Sequence, residues 1–257
     1  MNIKGVAVVT GGASGIGEAC ASQLKSDGFS VVIADSNEKM GRSVAKRLSS
    51  KFFFLDVTDE EGVFLTANEI YKELGPVTVL VNSAGVIQDG PSRPCDLRMK
   101  EWDKIVAVDQ RGTYVACVAF SERMREMRRG AIVNIASVTG MRSVPLHGYA
   151  PAKAAVISMT ETLAGEWGPQ GIRVNCVSPG YTLTPSVKSA VERGERSLDD
   201  IKKATALGRM VKVEEVSSAV SFLVSEGAAA ITGINLPVDA GWLCSSSWST
   251  YGGLRAT

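Results

Sequence analysis

Residues 6–17 read Val6-Ala7-Val8-Val9-Thr10-Gly11-Gly12-Ala13-Ser14-Gly15-Ile16-Gly17. A short β-branched run passes directly into a glycine-rich turn, and a helical stretch from Gly17 to Ser26 follows. Glycines let the backbone turn sharply and let a pyrophosphate come close. The start of the next helix offers that phosphate unpaired N–H groups and partial positive charge. A glycine-rich turn says little alone; its place between a strand and a helix gives it meaning. Gly11, Ser14, Gly15, Ile16 and Gly17 are therefore candidate dinucleotide contacts.

The same alternation continues outward. Strands are expected at Ser30 to Asp35, Phe52 to Val57, Val77 to Val81, Ala131 to Ile135, Ile172 to Val177 and Asn235 to Val238, with helical segments between them. Strand–helix alternation implies an α/β fold, a parallel sheet covered by helices on both faces. The continuous apolar runs fit strands buried on both sides. At 257 residues one catalytic domain spanning 1–257 is expected. Residues 183–207 break the rhythm. They are rich in charge, with Leu183, Val187, Val191, Leu198 and Ile201 spaced like one helical face. An insertion after a late strand is well placed to be a substrate lid, the alternative being a solvated helical pair.

The second strand ends at Asp35, the distance at which an acid binds the adenosine ribose hydroxyls. A carboxylate there repels a 2′-phosphate, and neither Ser14 nor Ser36 supplies positive charge. Both facts favour NAD over NADP; the alternative is that Asp35 only caps the next helix. Asp56 and Val57 stand where a strand end could flank the adenine, or where Asp56 is a turn residue.

Tyr149 and Lys153 lie four apart at the start of a helical segment, so they share a face. A phenol ionises near pH 10, too high for a general base at neutral pH. An adjacent ammonium stabilises phenolate. Tyr149 could then take an alcohol proton while hydride leaves the same carbon. Ser137, after the strand ending at Ile135, can hydrogen-bond the substrate oxygen.

Thr10–Gly17, Asn82-Ser-Ala-Gly85, Asn134-Ile-Ala-Ser137, Tyr149-Ala-Pro-Ala-Lys153, Pro179-Gly180 and Val238-Asp-Ala-Gly241 occur in order along the chain. On these pieces the sequence resembles the short-chain dehydrogenase/reductase family over essentially its whole length. The resemblance implies a single-domain Rossmann fold, a doubly wound sheet of seven parallel strands, and a homotetramer. It implies Tyr149 as acid/base, Ser137 as orienter and Lys153 on the nicotinamide ribose. It also carries Asn82, Ala84 and Gly85 beside the cofactor, and Pro179, Gly180, Thr182 and Thr184 at its nicotinamide end. One position departs: the family usually has asparagine where this chain has Asp109. That added charge near Lys153 could raise the tyrosine pKa, so an alkaline bias in activity is expected.

The substrate should meet Gln88, the loop from Val138 to Gly148, Tyr181 and the lid. His147 either bonds a second substrate group or faces water; Arg93 and Arg142 are candidate pocket residues, with a solvated position the favoured alternative. A polyol, sugar or hydroxy acid is favoured. The rivals are an NADPH-dependent ketone or 3-oxoacyl reductase and a catalytically idle cofactor-binding protein. Net charge is +1 without a basic stripe, which argues against nucleic acid. No apolar stretch is long enough to span a bilayer, and the N-terminus lacks signal-peptide order. Five scattered cysteines and one histidine predict reduced thiols, a cytoplasmic setting and no metal site. Contact between subunits is expected around Lys100 to Arg128 and Tyr149 to Trp167.

Overall fold

The computed structural model describes residues 4–254 except 89, 195, 196 and 246. Glu195 and Arg196 of the segment expected to be a lid, and the chain ends 1–3 and 255–257, thus lie outside the described residues. One sheet of seven parallel strands runs in the order β3-β2-β1-β4-β5-β6-β7. The strands are β1 Val6–Thr10, β2 Ser30–Asp35, β3 Lys51–Phe54, β4 Val77–Asn82, β5 Gly130–Ile135, β6 Ile172–Pro179 and β7 Asn235–Val238. The helices α1 (Gly15–Ser26), α2 (Glu38–Arg47) and α9 (Val213–Val224) share a core with one face, and α3 (Glu60–Leu74), α5 (Thr113–Met127) and α6 (Tyr149–Trp167) with the other.

Alternation of side chains along a strand explains why every β1 residue is apolar or small. Val6 and Val8 join the core with Ile70, Phe120 and Trp167, whereas Ala7 and Val9 join the one with Leu24, Val216 and Leu223. A strand with helices on both sides has no polar face to offer. The expectation for β3 needs correction. That strand stops at Phe54 rather than Val57, because Asp56 Oδ1 accepts from the Thr58 N–H at 2.9 Å and its hydroxyl at 2.7 Å. This side-chain turn competes with the ladder and ends it.

The order reverses between β1 and β4, where Thr10 stands opposite Asn82. Helices following the two strands go to opposite faces there, leaving a crevice at the carboxyl ends. Between α4 (Met99–Ile105) and α5 the helix widens into a π-helical turn, Val106–Gly112. Such turns displace a side chain from the regular helical face; this one carries Asp109 inward. Residues 183–207 form two short helices, α7 (Pro185–Glu192) and α8 (Leu198–Ala204). Of their expected apolar face Ile201 is buried and Leu183 exposed. Among the described residues, no helix is long and apolar enough to cross a membrane.

Candidate active site

The glycine turn is built by close backbone contact. Gly11 has φ +65°, and a Cβ there would stand 2.6 Å from the Ala84 backbone. Gly15 has φ +55°, and its open side faces Thr184, whose Cγ2 would lie 3.5 Å from a Cβ. Thr184 caps α7, accepting from Val187 N–H at 3.3 Å. The root of the 183–207 insertion therefore lies against the turn. Ser14 is exposed and Ile16 half-buried beside it. The cradle fits a pyrophosphate, because a side chain at Gly11 or Gly17 would occupy backbone space and Gly15 leaves its approach open.

Asp35 ties that turn to β2. Its Oδ2 accepts from Ala13 N–H at 3.0 Å and its Oδ1 from Asn37 N–H at 2.8 Å. The cap of α2 is Asn37, which accepts from Met40 N–H. The carboxylate thus stands at the mouth of the turn and is not a helix cap. Val57 is buried against Gly112, while Asp56 is exposed in its own turn.

Across the crevice, Thr10 holds the loop after β4: its carbonyl accepts from Ser83 N–H and its hydroxyl from Ala84 N–H. Asn82 donates to Asn134 Oδ1 at 2.9 Å, and Asn134 in turn donates to Thr160 at 2.9 Å. These buried amides brace β4, β5 and α6. Asn82 Oδ1 is buried with no partner.

Tyr149 opens α6, and Lys153 follows one turn later with its ammonium 5.5 Å from the tyrosine ring. Lys153 is buried; Nζ donates to Ile135 O at 3.0 Å and pairs with Asp109 Oδ2 at 3.0 Å. The other carboxylate oxygen accepts from Val86 N–H at 2.8 Å. Ser137 is buried, and its hydroxyl favours the ionised form of Tyr149. Its oxygen also accepts from the Thr139 hydroxyl at 2.9 Å and the Thr139 N–H at 3.2 Å. With those lone pairs occupied, the Ser137 proton is left to donate toward Tyr149 and the crevice. Burial raises the Tyr149 pKa above its ordinary value; Lys153 and Ser137 pull it down, and Asp109 pushes it up. Burial also opposes the Lys153 charge, but Asp109 and then Tyr149 outweigh it, and its pKa sits above the ordinary lysine value.

Pro179 and Gly180 end β6 against Val238 and Asp239; a Cβ on Gly180 would meet Asp239 Cα at 2.8 Å. Asp239 fixes the next turn by accepting from Gly241 and Leu243 N–H. Thr182 is buried and bonds Gly180 O, and Tyr181 meets Trp242 edge-on at 6.2 Å.

Gln88 is buried with its amide engaged within the protein: it donates to Gly90 O and Ser92 and accepts from Gly148 N–H at 2.9 Å. It braces the start of α6. His147 lines a shallow cavity of about 370 Å³ with Arg142, Pro151 and Ala154, whose walls include neither Ser137 nor Tyr149. Arg142 is exposed and Arg93 pairs at the surface with Asp96. A larger cavity, about 920 Å³, lies at the other edge of the sheet beside Lys4, Thr78 and Ile172. It contains none of the predicted residues, and open α/β sheets bind ligands at the carboxyl edge. Thr10 lay in the glycine-turn motif and Thr139 in the expected substrate loop, but neither had an individual role in the sequence; Trp242 was not singled out at all, and nothing local marked it.

Comparison with known proteins agrees with this geometry. The family described as Enoyl-(Acyl carrier protein) reductase matches residues 11–243. The chain is 37% identical to a D-threitol dehydrogenase of Mycolicibacterium smegmatis, over 92% of each chain. It is 38% identical to a galactitol 2-dehydrogenase of Rhizobium johnstonii, over 93% of this chain and 95% of that one. A solved structure described as ribose-5-phosphate isomerase from Brucella melitensis 16M superposes with TM-score 0.95 at 52% identity, covering 98% of this chain and 97% of that one. ElxO with NADP bound superposes with TM-score 0.87 at 31% identity, covering 95% of this chain and 100% of ElxO. Family match, relatives and crevice geometry agree: the chain belongs to the short-chain dehydrogenase/reductase family of oxidoreductases.

Proposed function

We propose that this chain is an NAD-dependent dehydrogenase acting on a secondary alcohol of a polyol or related sugar, with Tyr149 as proton carrier. The observation that carries the reading is the meeting of Tyr149, Ser137 and Lys153 at the same carboxyl edge of the sheet as the glycine cradle. A nicotinamide dinucleotide, when bound, supplies the hydride acceptor or donor. Gly11, Ser14, Gly15, Ile16 and Gly17 would hold its pyrophosphate; Asp35 would take the adenosine ribose and repel a 2′-phosphate. Val57 and Asp56 would bound the adenine side. Asn82, Ala84 and Gly85 would flank the middle, and Pro179, Gly180, Thr182 and Thr184 the nicotinamide end.

In oxidation Ser137 donates a hydrogen bond to the substrate oxygen and aligns it. Tyr149 Oη accepts the hydroxyl proton as the carbonyl forms, and in reduction it returns that proton. Lys153 favours the phenolate, against the opposing charge of Asp109, and would bind the nicotinamide ribose. Tyr181 and the 183–207 lid would enclose the substrate. The dehydrogenases of threitol and galactitol among the relatives support a polyol. Five free thiols fit a cytoplasmic protein, and a homotetramer follows the family.

The test is reduced-nicotinamide absorbance with NAD and with NADP over polyols, sugars, hydroxy acids and simple alcohols, alongside ribose 5-phosphate without cofactor. The reading expects NAD-linked turnover that falls by about 10³-fold in Tyr149→Phe while cofactor binding persists. Isomerisation of ribose 5-phosphate without cofactor, or turnover surviving in Tyr149→Phe, overturns it.

A further inference from the structure

Asp109 is a fully buried carboxylate in direct contact with the lysine of the proton-transfer site. Its two oxygens do different work. Oδ1 holds the loop after β4 through Val86 N–H, a bond that any acceptor of the same shape could make. Oδ2 lies 3.0 Å from Lys153 Nζ, and the charge of the carboxylate is the larger part of its hold on the ammonium. The crowding is tight: a Cβ on Gly85 would stand 3.0 Å from Asp109 Oδ2 and 3.5 Å from Lys153 Nζ.

We infer that Asp109 is a positioning residue that neutralises the Lys153 ammonium, so that Tyr149 stays a phenol through neutral pH and alcohol oxidation switches on only at alkaline pH. The inference rests on the dehydrogenase reading above and deepens it. A phenolate beside a lone buried ammonium is strongly favoured; beside an ammonium already paired with a carboxylate it gains little. The groups facing the site support this balance. From α6 comes Lys153, from the wide turn Asp109, and from the end of β5 the neutral Ser137. From β6 comes Cys176, whose thiol burial pushes up to about 12, and from α5, next to Asn82, Cys117, likewise at about 12. Both thiols stay uncharged at neutral pH. Among the described residues, Lys153 and Asp109 are the charges acting on Tyr149, and they oppose each other.

The test is Asp109→Asn, which keeps an acceptor for Val86 N–H and removes the charge. Tyrosinate absorbance is titrated in cofactor-free protein. The chain has five tyrosines, and the difference from Tyr149→Phe isolates the one of interest. The Tyr149 midpoint should fall by about one pH unit in Asp109→Asn. The pH profiles of kcat/KM should move the same way: the rising limb for oxidation and the falling limb for reduction both shift down. Oxidation well below the midpoint should then rise about tenfold. A merely structural role would lower both rates without moving either limb. An unmoved or upward-moving midpoint overturns the inference while the dehydrogenase reading stands; no turnover of any alcohol in the parent protein overturns that reading itself. Parent protein alone gives a second check, for use if the variant does not fold. Tyr149 ionising below the ordinary phenol range in the cofactor-free state also overturns the inference.

Discussion

Gly17 faces Gly11 so closely that a Cβ on Gly17 would stand 2.1 Å from the Gly11 carbonyl oxygen. The first turn of α1 is pressed onto the end of β1, and this contact aims the helix N-terminus at the crevice. Gly17→Ala should therefore push helix and strand apart. We expect a loss of about 1–3 kcal/mol in stability and a rise in cofactor Kd, read by denaturant unfolding and by fluorescence titration of the reduced cofactor. Unchanged affinity would show that the cradle tolerates the displacement.

Lys153→Met leaves Asp109 buried with no cation. Breaking a buried pair from one side typically costs about 3–5 kcal/mol. The double variant Lys153→Met/Asp109→Asn removes both charges and should regain most of that stability, though not activity. Thermal melts of the two proteins check it; an additive loss would mean the pair is not coupled.

Asp35 accepts two backbone N–H groups, and the proposed reading gives its carboxylate the adenosine ribose. Asp35→Ala should cost about 1 kcal/mol in stability through the buried Ala13 N–H it orphans. It should also erode discrimination against NADP by on the order of 10²-fold, since juxtaposed like charges cost several kcal/mol. The ratio of kcat/KM values for the two cofactors measures this. An unchanged ratio would place the discrimination elsewhere.

Gln88 holds the start of α6 through Gly148 N–H. Gln88→Leu should lower Tm, with about 1–3 kcal/mol lost to the orphaned donor, and should depress kcat alike for every substrate. A KM change confined to one substrate would instead mean direct contact.

Much of the site was legible in the chain. The glycine turn, Asp35, Ser137, Tyr149 and Lys153 each sit at or beside the end of a strand or helix, so local pattern placed them. Gln88 and His147 were harder. Gln88 was assigned to substrate, and His147, just before the tyrosine, either to substrate or to water. Whether a loop side chain turns inward depends on distant partners: Gly90, Ser92 and Gly148 hold Gln88, while His147 lines a separate cavity. The overlong β3 had a similar cause, since a side-chain turn at Asp56 outcompeted its apolar continuation.

By itself the sequence determined the alternating architecture, because apolar periodicity and glycine positions are local properties of the chain. It also supplied the chemical groups and the odd aspartate. Only the tertiary structure decided how Asp109 meets Lys153, with Oδ2 3.0 Å from Nζ and Oδ1 tied to Val86 N–H. That contact joins residues 44 positions apart across a widened helical turn and a second helix. Its distance is set by packing between elements, which no local pattern encodes.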